Sequence, residues 1–295
     1  MLRIGRLSRA RLVAGGLALI LAASLAGAAR PAPAQSPTVR TQSGQIAVDL
    51  ELVLAVDVSL SVDAEEGRLQ RQGYVEAFLD PLVVEAILAG ILGRIAVTYF
   101  EWANATHTQV IVDWTLIDSP AGAARFAAAL AQRRPGPARY TSISGAIDFG
   151  TRLFENNGFE GTRQVIDISG DGPNNWGDPV TRARDRAVAQ GVTINGLPIL
   201  DLGSGPFARY NIADLDLYYR DCVIGGPAAF IVVAEDFTAF ASAIRRKLIL
   251  EIAGLSPPQE APGGLQPVQF AETDRPGPPC DIGEQILRRR GDEDF

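Results

Sequence analysis

From Leu52 to Val56 the chain is apolar without interruption, and at Asp57-Val58-Ser59-Leu60-Ser61 it turns abruptly polar. Successive side chains of an extended strand point to opposite faces, so a run with no polar alternation must be covered on both sides. Asp49–Val56 therefore reads as a central strand of a sheet held between helices. The segments that follow keep to that plan. Asp63 begins a helix as N-cap, with Glu66 as its partner three residues on, and the helix stops near Leu79. Asp80-Pro81 opens a second helix through about Leu92. Arg94–Glu101 and Thr108–Leu116 read as strands, joined by a gap short enough for a hairpin. Ser119-Pro120 starts a helix to about Gln132, Ser142–Glu155 is another, and Arg163–Ser169 is a strongly apolar strand ending in Gly170-Asp171-Gly172. Asp178-Pro179 caps a helix through Gln190. Strands over Val192–Leu200 and Phe230–Ala234 and a helix over Phe237–Ile252 complete the series. Strand–helix alternation of this kind implies an α/β fold with a mostly parallel sheet, one antiparallel edge strand, and helices on both faces.

The two ends differ from this body. Residues 1–34 read as an export signal: Arg3, Arg6, Arg9 and Arg11 precede an apolar run from Leu12 to Ala29, and Ala32-Pro33-Ala34 supplies a small-x-small cleavage site. The run approaches the ~18–20 residues that span a bilayer, so an uncleaved inner-membrane anchor is the alternative. Either reading sends the remainder across the membrane, to the periplasm or beyond. Residues 35–47 then form a linker, 48–254 one domain and 255–295 a tail. Seven prolines between 255 and 279 mark that tail as extended and largely disordered. Its end, Asp281–Phe295, forms at most a short helix through Ile286 and Leu287.

Charge narrows the possible partners. Without the five arginines of 1–34, 22 basic residues face 34 acidic ones, a net charge near −12. Such a surface repels nucleic acid and anionic lipid. No later segment is long and apolar enough to span a membrane. Cys222 and Cys280 fall in the exported part with no C-x-x-C pattern and a single histidine, His107, in the chain. In an oxidising compartment they are candidates for a disulfide pinning the tail to the domain.

In open parallel sheets, ligands bind at the carboxyl ends of the strands, and three polar clusters fall there. Asp57, Ser59 and Ser61 follow the first strand, Thr141 precedes a helix, and Asp171 follows the apolar strand. Alternate residues of an extended loop point one way, so Asp57, Ser59 and Ser61 converge on one point. Two carboxylates and three hydroxyls are hard oxygen donors, suited to Mg²⁺, with Ca²⁺ and Mn²⁺ as alternatives, rather than to zinc or copper. Each cluster alone has a plainer reading: Ser61 or Asp63 capping a helix, Thr141 as an N-cap, Asp171-Gly172 as a turn.

Together, Asp57-Val58-Ser59-Leu60-Ser61, Thr141 and Asp171-Gly172 resemble the von Willebrand factor A-type domain with its metal-ion-dependent adhesion site, over roughly residues 50–253. The segment Tyr210–Gly226, with Tyr218, Tyr219, Asp221 and Cys222, is similar to an exported bacterial branch of that superfamily. The resemblance implies a Rossmann-like, doubly wound sheet and a divalent ion held by Asp57, Ser59, Ser61, Thr141 and Asp171, directly or through water. It departs from the pattern at Ser169-Gly170-Asp171, where many relatives carry Thr-Asp or Ser-Asp. The added glycine is expected to loosen the turn, which leaves direct contact of Asp171 with the ion open. Asn174, Asn175 and Trp176 are candidates for shaping partner contact, or else a polar turn with one packed indole.

The expected function is a binding module that captures an acidic group of a protein partner through the ion, in adhesion or envelope assembly. Two alternatives stand beside it. One is a metal-dependent hydrolase or phosphatase with Asp57 as nucleophile, although Ser59 stands where a second acid belongs and Lys247, the only lysine, lies on the last helix of the body. No serine has the flanking glycines of a nucleophile elbow, and His107 sits at a hairpin. The other is a structural envelope subunit whose ion only rigidifies it.

Overall fold

The computed structural model describes residues 40–41, 44–132, 138–201, 211–255 and 275–291. The expected export segment, the loop 133–137 and most of the proline-rich stretch lie outside the described residues.

Five strands form the central sheet: β2 (Leu50–Asp57), β3 (Ile95–Trp102), β4 (Thr108–Ile117), β6 (Gln164–Gly170) and β7 (Thr193–Pro198), in the order β4-β3-β2-β6-β7. All neighbours are parallel except the edge hairpin β3–β4. A small parallel pair joins β1 (Ile46–Val48) to β5 (Phe159–Gly161), so the expected linker ends inside a strand. The helices are α1 (Ala64–Leu79), α2 (Pro81–Leu88), α3 (Pro120–Ala131), α4 (Ile143–Leu153), α5 (Val180–Ala189), α6 (Leu215–Tyr218) with one π-helical turn Tyr219–Val223, α7 (Phe240–Ala253) and α8 (Ile282–Gly291). Thus the fold is α/β, mostly parallel, with one antiparallel edge and both faces covered.

The central position of β2 follows from its side chains. All eight are buried. Leu50, Leu52, Leu54 and Val56 pack into the core under α1, α2, α3 and α7, whereas Val53 and Ala55 pack under α4, α5 and the π-helical turn. The same alternation carries Asp57 to the α4–α5 side. Local chemistry sets the helix starts. Asp63 accepts from the Glu65 and Glu66 amides while Glu66 returns a bond to the Asp63 amide, and Ser119 Oγ accepts from Gly122 with Pro120 behind it.

Three expectations need correction. α2 ends at Leu88 rather than Leu92, because the Asp49 carboxylate takes the Leu92 amide and Gly93 turns left-handed at φ 64°. Pro179, not Asp178, is the N-cap of α5 and makes no side-chain cap; Asp178 pairs with Arg186 instead. Phe230–Ala234 pairs only through isolated bridges, Ile231 with Gly196 of β7 and Ala234 with Ile199 just beyond it. Pro198 has no N–H to continue a ladder there, and the Asn195 side chain takes the Phe230 amide.

The apolar run of β6 hides a polar centre. Asp167 points into the α7 side, where Lys247 Nζ lies 2.7 Å from its carboxylate and 2.5 Å from Glu251, all with no exposure of the two carboxylates' or the lysine's side chains. Asn195 donates to the same Glu251 oxygen. Burial, with the Glu251 charge adding and Lys247 opposing, pushes the Asp167 carboxyl up to about 7. A carboxyl raised in the folded state contributes stability that is present at low pH and lost as pH climbs through the folded value. The Asp167 contribution should therefore disappear between about pH 4, the ordinary carboxylate range, and about pH 7. In urea titrations, the midpoint of the wild type should fall over that window more than that of Asp167→Asn. Parallel pH profiles for the two proteins would refute the assignment.

Candidate metal centre

At the carboxyl end of β2, Asp57 is still in register with Trp102 of β3, and the chain then leaves the sheet. The Ser59 amide donates back to Asp57 Oδ1 at 2.7 Å, closing a tight turn. Ser61 Oγ donates to Asp171 Oδ1 at 2.8 Å and lies 2.9 Å from Ser59 Oγ. Since the Ser61 proton goes to Asp171, the Ser59 hydroxyl must donate to Ser61. One continuous chain of bonds thus links Asp57, Ser59, Ser61 and Asp171. Thr141 shares the wall of a pocket with Ser59 and Ser61, and Leu60, Arg139, Tyr140, Asn175 and Leu287 complete its lining.

Thr141 is held by the opposite loop. Its amide donates to Asn175 Oδ1, and its carbonyl accepts from the Asn175 amide, both at 2.8 Å. The helix cap at this point is its neighbour: Ser142 Oγ accepts from Gly145, so the plainer reading of Thr141 fails. Asn174 is fully buried and clamps the rim, its Oδ1 taking the Ser144 amide and its Nδ2 donating to Glu284. Its side chain is thus committed to bonds within the protein. Trp176 is 43% exposed and stacks on Tyr140, itself 38% exposed, with ring centroids 4.4 Å apart. Glu101, near the end of β3, is buried in an ion pair with Arg71.

Gly170 does not loosen its turn. It is the last residue of β6, paired with Pro198, and its carbonyl accepts from Ile199. The space beside it explains the glycine: a Cβ would lie 3.0 Å from both Asp57 Oδ2 and the Tyr219 hydroxyl. Gly170→Ala should therefore crowd Asp57, costing about 1–3 kcal/mol in urea unfolding. An alanine variant with unchanged stability would show that the cradle gives way freely.

Electrostatics set the chemistry of the site. Burial, reinforced by the Asp171 charge, pushes the Asp57 carboxyl well above the usual range. Burial also pushes Asp171 up to about 7, against the Ser61 bond that favours its charge. Asp57 Oδ2 is buried with no hydrogen-bond partner, and so is the Tyr219 hydroxyl near it. A buried carboxylate oxygen left unpartnered is costly, a cost that a bound cation would offset. Among the described residues, no three His, Cys, Asp or Glu side chains cluster as a metal cage. The donors present are two carboxylates and hydroxyls, which fit a hard ion such as Mg²⁺.

Sequence reasoning overlooked Tyr219 as a neighbour of Asp57, the buried Asp167–Lys247–Glu251 group, and α8 as a wall of the pocket. The signals for the second were present: a single lysine in an arginine-rich chain, and an aspartate inside an apolar strand. Cys222 and Cys280 are joined in a disulfide.

Comparison with known proteins adds the following. Residues 47–256 match a family described as "Protein of unknown function (DUF1194)". Among solved structures, the pilus adhesin SpaC from Lactobacillus rhamnosus GG aligns with a TM-score of 0.50 at 13% identity, covering 70% of this chain and 30% of SpaC. Proximal thread matrix protein 1 from the mussel byssus aligns at 0.49 and 14% identity, over 70% of this chain and 48% of its own. A von Willebrand factor type A protein from Catenulispora acidiphila aligns at 0.42 and 14% identity, over 70% and 43%. This chain spans less than half the length of each. Likeness at such identities concerns the fold alone. No curated protein matches.

Proposed function

The chain belongs to the DUF1194 family, and from that premise we propose that it is an exported binding module. In this reading it holds a divalent cation, Mg²⁺ first, and captures an acidic group of a protein partner. The observation that carries the reading is the unpartnered, buried Oδ2 of Asp57 in a site that also contains Asp171 and three hydroxyls. Asp57, Ser59, Ser61, Thr141 and Asp171 would hold the ion. When bound, it would supply an open coordination position for an incoming carboxylate. The protein's own groups do the rest. The Ser59 amide orients Asp57, and Ser61 orients Asp171. Leu60, Tyr140 and Leu287 give the pocket apolar walls, which suits an acidic residue with an apolar neighbour.

Two features argue against a hydrolase. Lys247, the only lysine, is fully buried and committed to Asp167 and Glu251 on the far face of the sheet from Asp57. The position two residues after Asp57, where a phosphoryl-transfer site of that kind carries its second acid, is Ser59. An oxidising, exported location suits the disulfide.

The test is capture from a bacterial envelope extract with wild type and Asp57→Ala, each in Mg²⁺ and in EDTA. Only the wild type in Mg²⁺ should retain a partner. Equal retention by Asp57→Ala in EDTA would overturn the reading. A metal-dependent rise in melting temperature with no retained partner would favour the purely structural subunit.

A further inference from the structure

The C-terminal end of the chain meets the candidate site at Asn174. Cys280, just before α8, is bonded to Cys222 of the π-helical turn. The Tyr218 hydroxyl accepts from the Asn174 amide at 3.2 Å and lies 3.4 Å from the Cys280 carbonyl, to which it donates. Glu284 Oε1 accepts from Asn174 Nδ2 at 2.7 Å. Gly283 sits so close that a Cβ there would collide with the Asn174 carbonyl. One turn further, Leu287 lines the pocket together with Ser59, Ser61 and Thr141. The tail is thus tied to the π-helical turn by a disulfide and meets the rim through the Glu284–Asn174 bond and the Leu287 side chain. None of it lies within the span 47–256 that the family shares.

From Asn174 the contacts continue to a proposed ion ligand. Asn175 follows in sequence and exchanges two backbone-anchored bonds with Thr141. Glu284 is also an expensive choice for a mere clasp, since its second carboxylate oxygen is buried without a partner. We propose that α8 is part of the recognition site: Glu284 is a positioning residue that holds Asn174–Asn175, and through them Thr141, while Leu287 is a wall of the ion pocket. The role of Leu287 rests on the ion reading above. The positioning role of Glu284 stands on geometry that needs no ion.

The experiment uses the full chain, with Mn²⁺ alone as the probe. Glu284→Ala and Gly283→Ala should speed amide hydrogen exchange at Thr141 and Asn175 about tenfold, the effect of losing one charge-assisted bond, while amides in β2 and β6 keep wild-type rates. Both variants should bind Mn²⁺ several-fold more weakly. Glu284→Gln, whose amide oxygen still accepts from Asn174, should restore both. Leu287→Arg should weaken Mn²⁺ binding at low salt and recover toward the wild type at high salt, because the added cation would face the ion. Unchanged exchange and affinity in Glu284→Ala and Gly283→Ala would overturn the proposal, as would exchange that accelerates equally throughout the sheet. Salt-independent, wild-type binding by Leu287→Arg would remove the wall. If instead Asp57→Ala binds Mn²⁺ as well as the wild type, the ion reading fails, and the exchange data judge Glu284 alone.

Discussion

Replacing Lys247 with methionine should lower the melting temperature by about 10 °C, the largest loss expected from any single substitution away from the candidate site. Lys247 is a buried cation held between two buried carboxylates, Asp167 at 2.7 Å and Glu251 at 2.5 Å, with Phe230 beneath it at 5.3 Å. Methionine matches its length and fills the same space, so little packing is lost. What remains is a pair of carboxyl groups in the core with no positive charge. Removing one partner of a buried ion pair costs about 3–5 kcal/mol, and in a domain of this size each kcal/mol moves the melting temperature by roughly 2–4 °C. Asp167→Asn added to Lys247→Met should recover part of the loss, because one of the two orphaned acids is then neutral. Differential scanning calorimetry of the two variants decides it. A melting temperature within 2 °C or so of the wild type for Lys247→Met would mean the core carries these acids protonated at little cost.

Asp57→Asn should move stability in opposite directions with and without ion. In EDTA the variant should melt above the wild type. Its amide keeps an oxygen for the Ser59 N–H, and it removes a carboxyl that burial and the Asp171 charge penalise. In saturating Mg²⁺ the order should reverse, because only the wild type gains the free energy of binding, which grows with the logarithm of ion concentration over dissociation constant. Affinity for Mg²⁺ or Mn²⁺ should fall by about a hundredfold or more, beyond the 10–100-fold typical when an outer-shell group is lost. Calorimetric titration measures the affinity and thermal melts with and without EDTA measure the crossover. A variant less stable than the wild type in EDTA would show that Asp57 supports the fold in its own right, and the ion argument from its unpartnered oxygen would then lose its footing.

Much of the framework was legible because it is local. The capping box at Asp63 and Glu66, the Pro120 helix start and the continuous apolar run of β2 each depend on neighbours a few residues away. Edges were misjudged where a distant group intervened. Asp49 reaches the Leu92 amide from 43 residues away and ends α2 early. Asn195 takes the amide of Phe230 and spoils a strand that periodicity favoured. The site followed the same division. Asp57, Ser59, Ser61 and Asp171 were read from spacing, and they are joined by hydrogen bonds. The polar run Asn174-Asn175-Trp176 is compatible with partner contact or with a plain polar turn, and only the tertiary contacts of α8 show Asn174 buried and bonded to Glu284.

The loop Asp57-Val58-Ser59-Leu60-Ser61 was determined by sequence alone in its position and donor chemistry: a buried strand must end at the sheet's edge, and hydroxyls with carboxylates favour hard ions. Tertiary structure decided what surrounds it. Gly170 leaves room beside Asp57, the Tyr219 hydroxyl comes close to the same space, and α8 walls the pocket from beyond the shared domain. Those contacts join residues tens to hundreds of positions apart, and a pattern with a period of two or 3.6 residues carries no information about them.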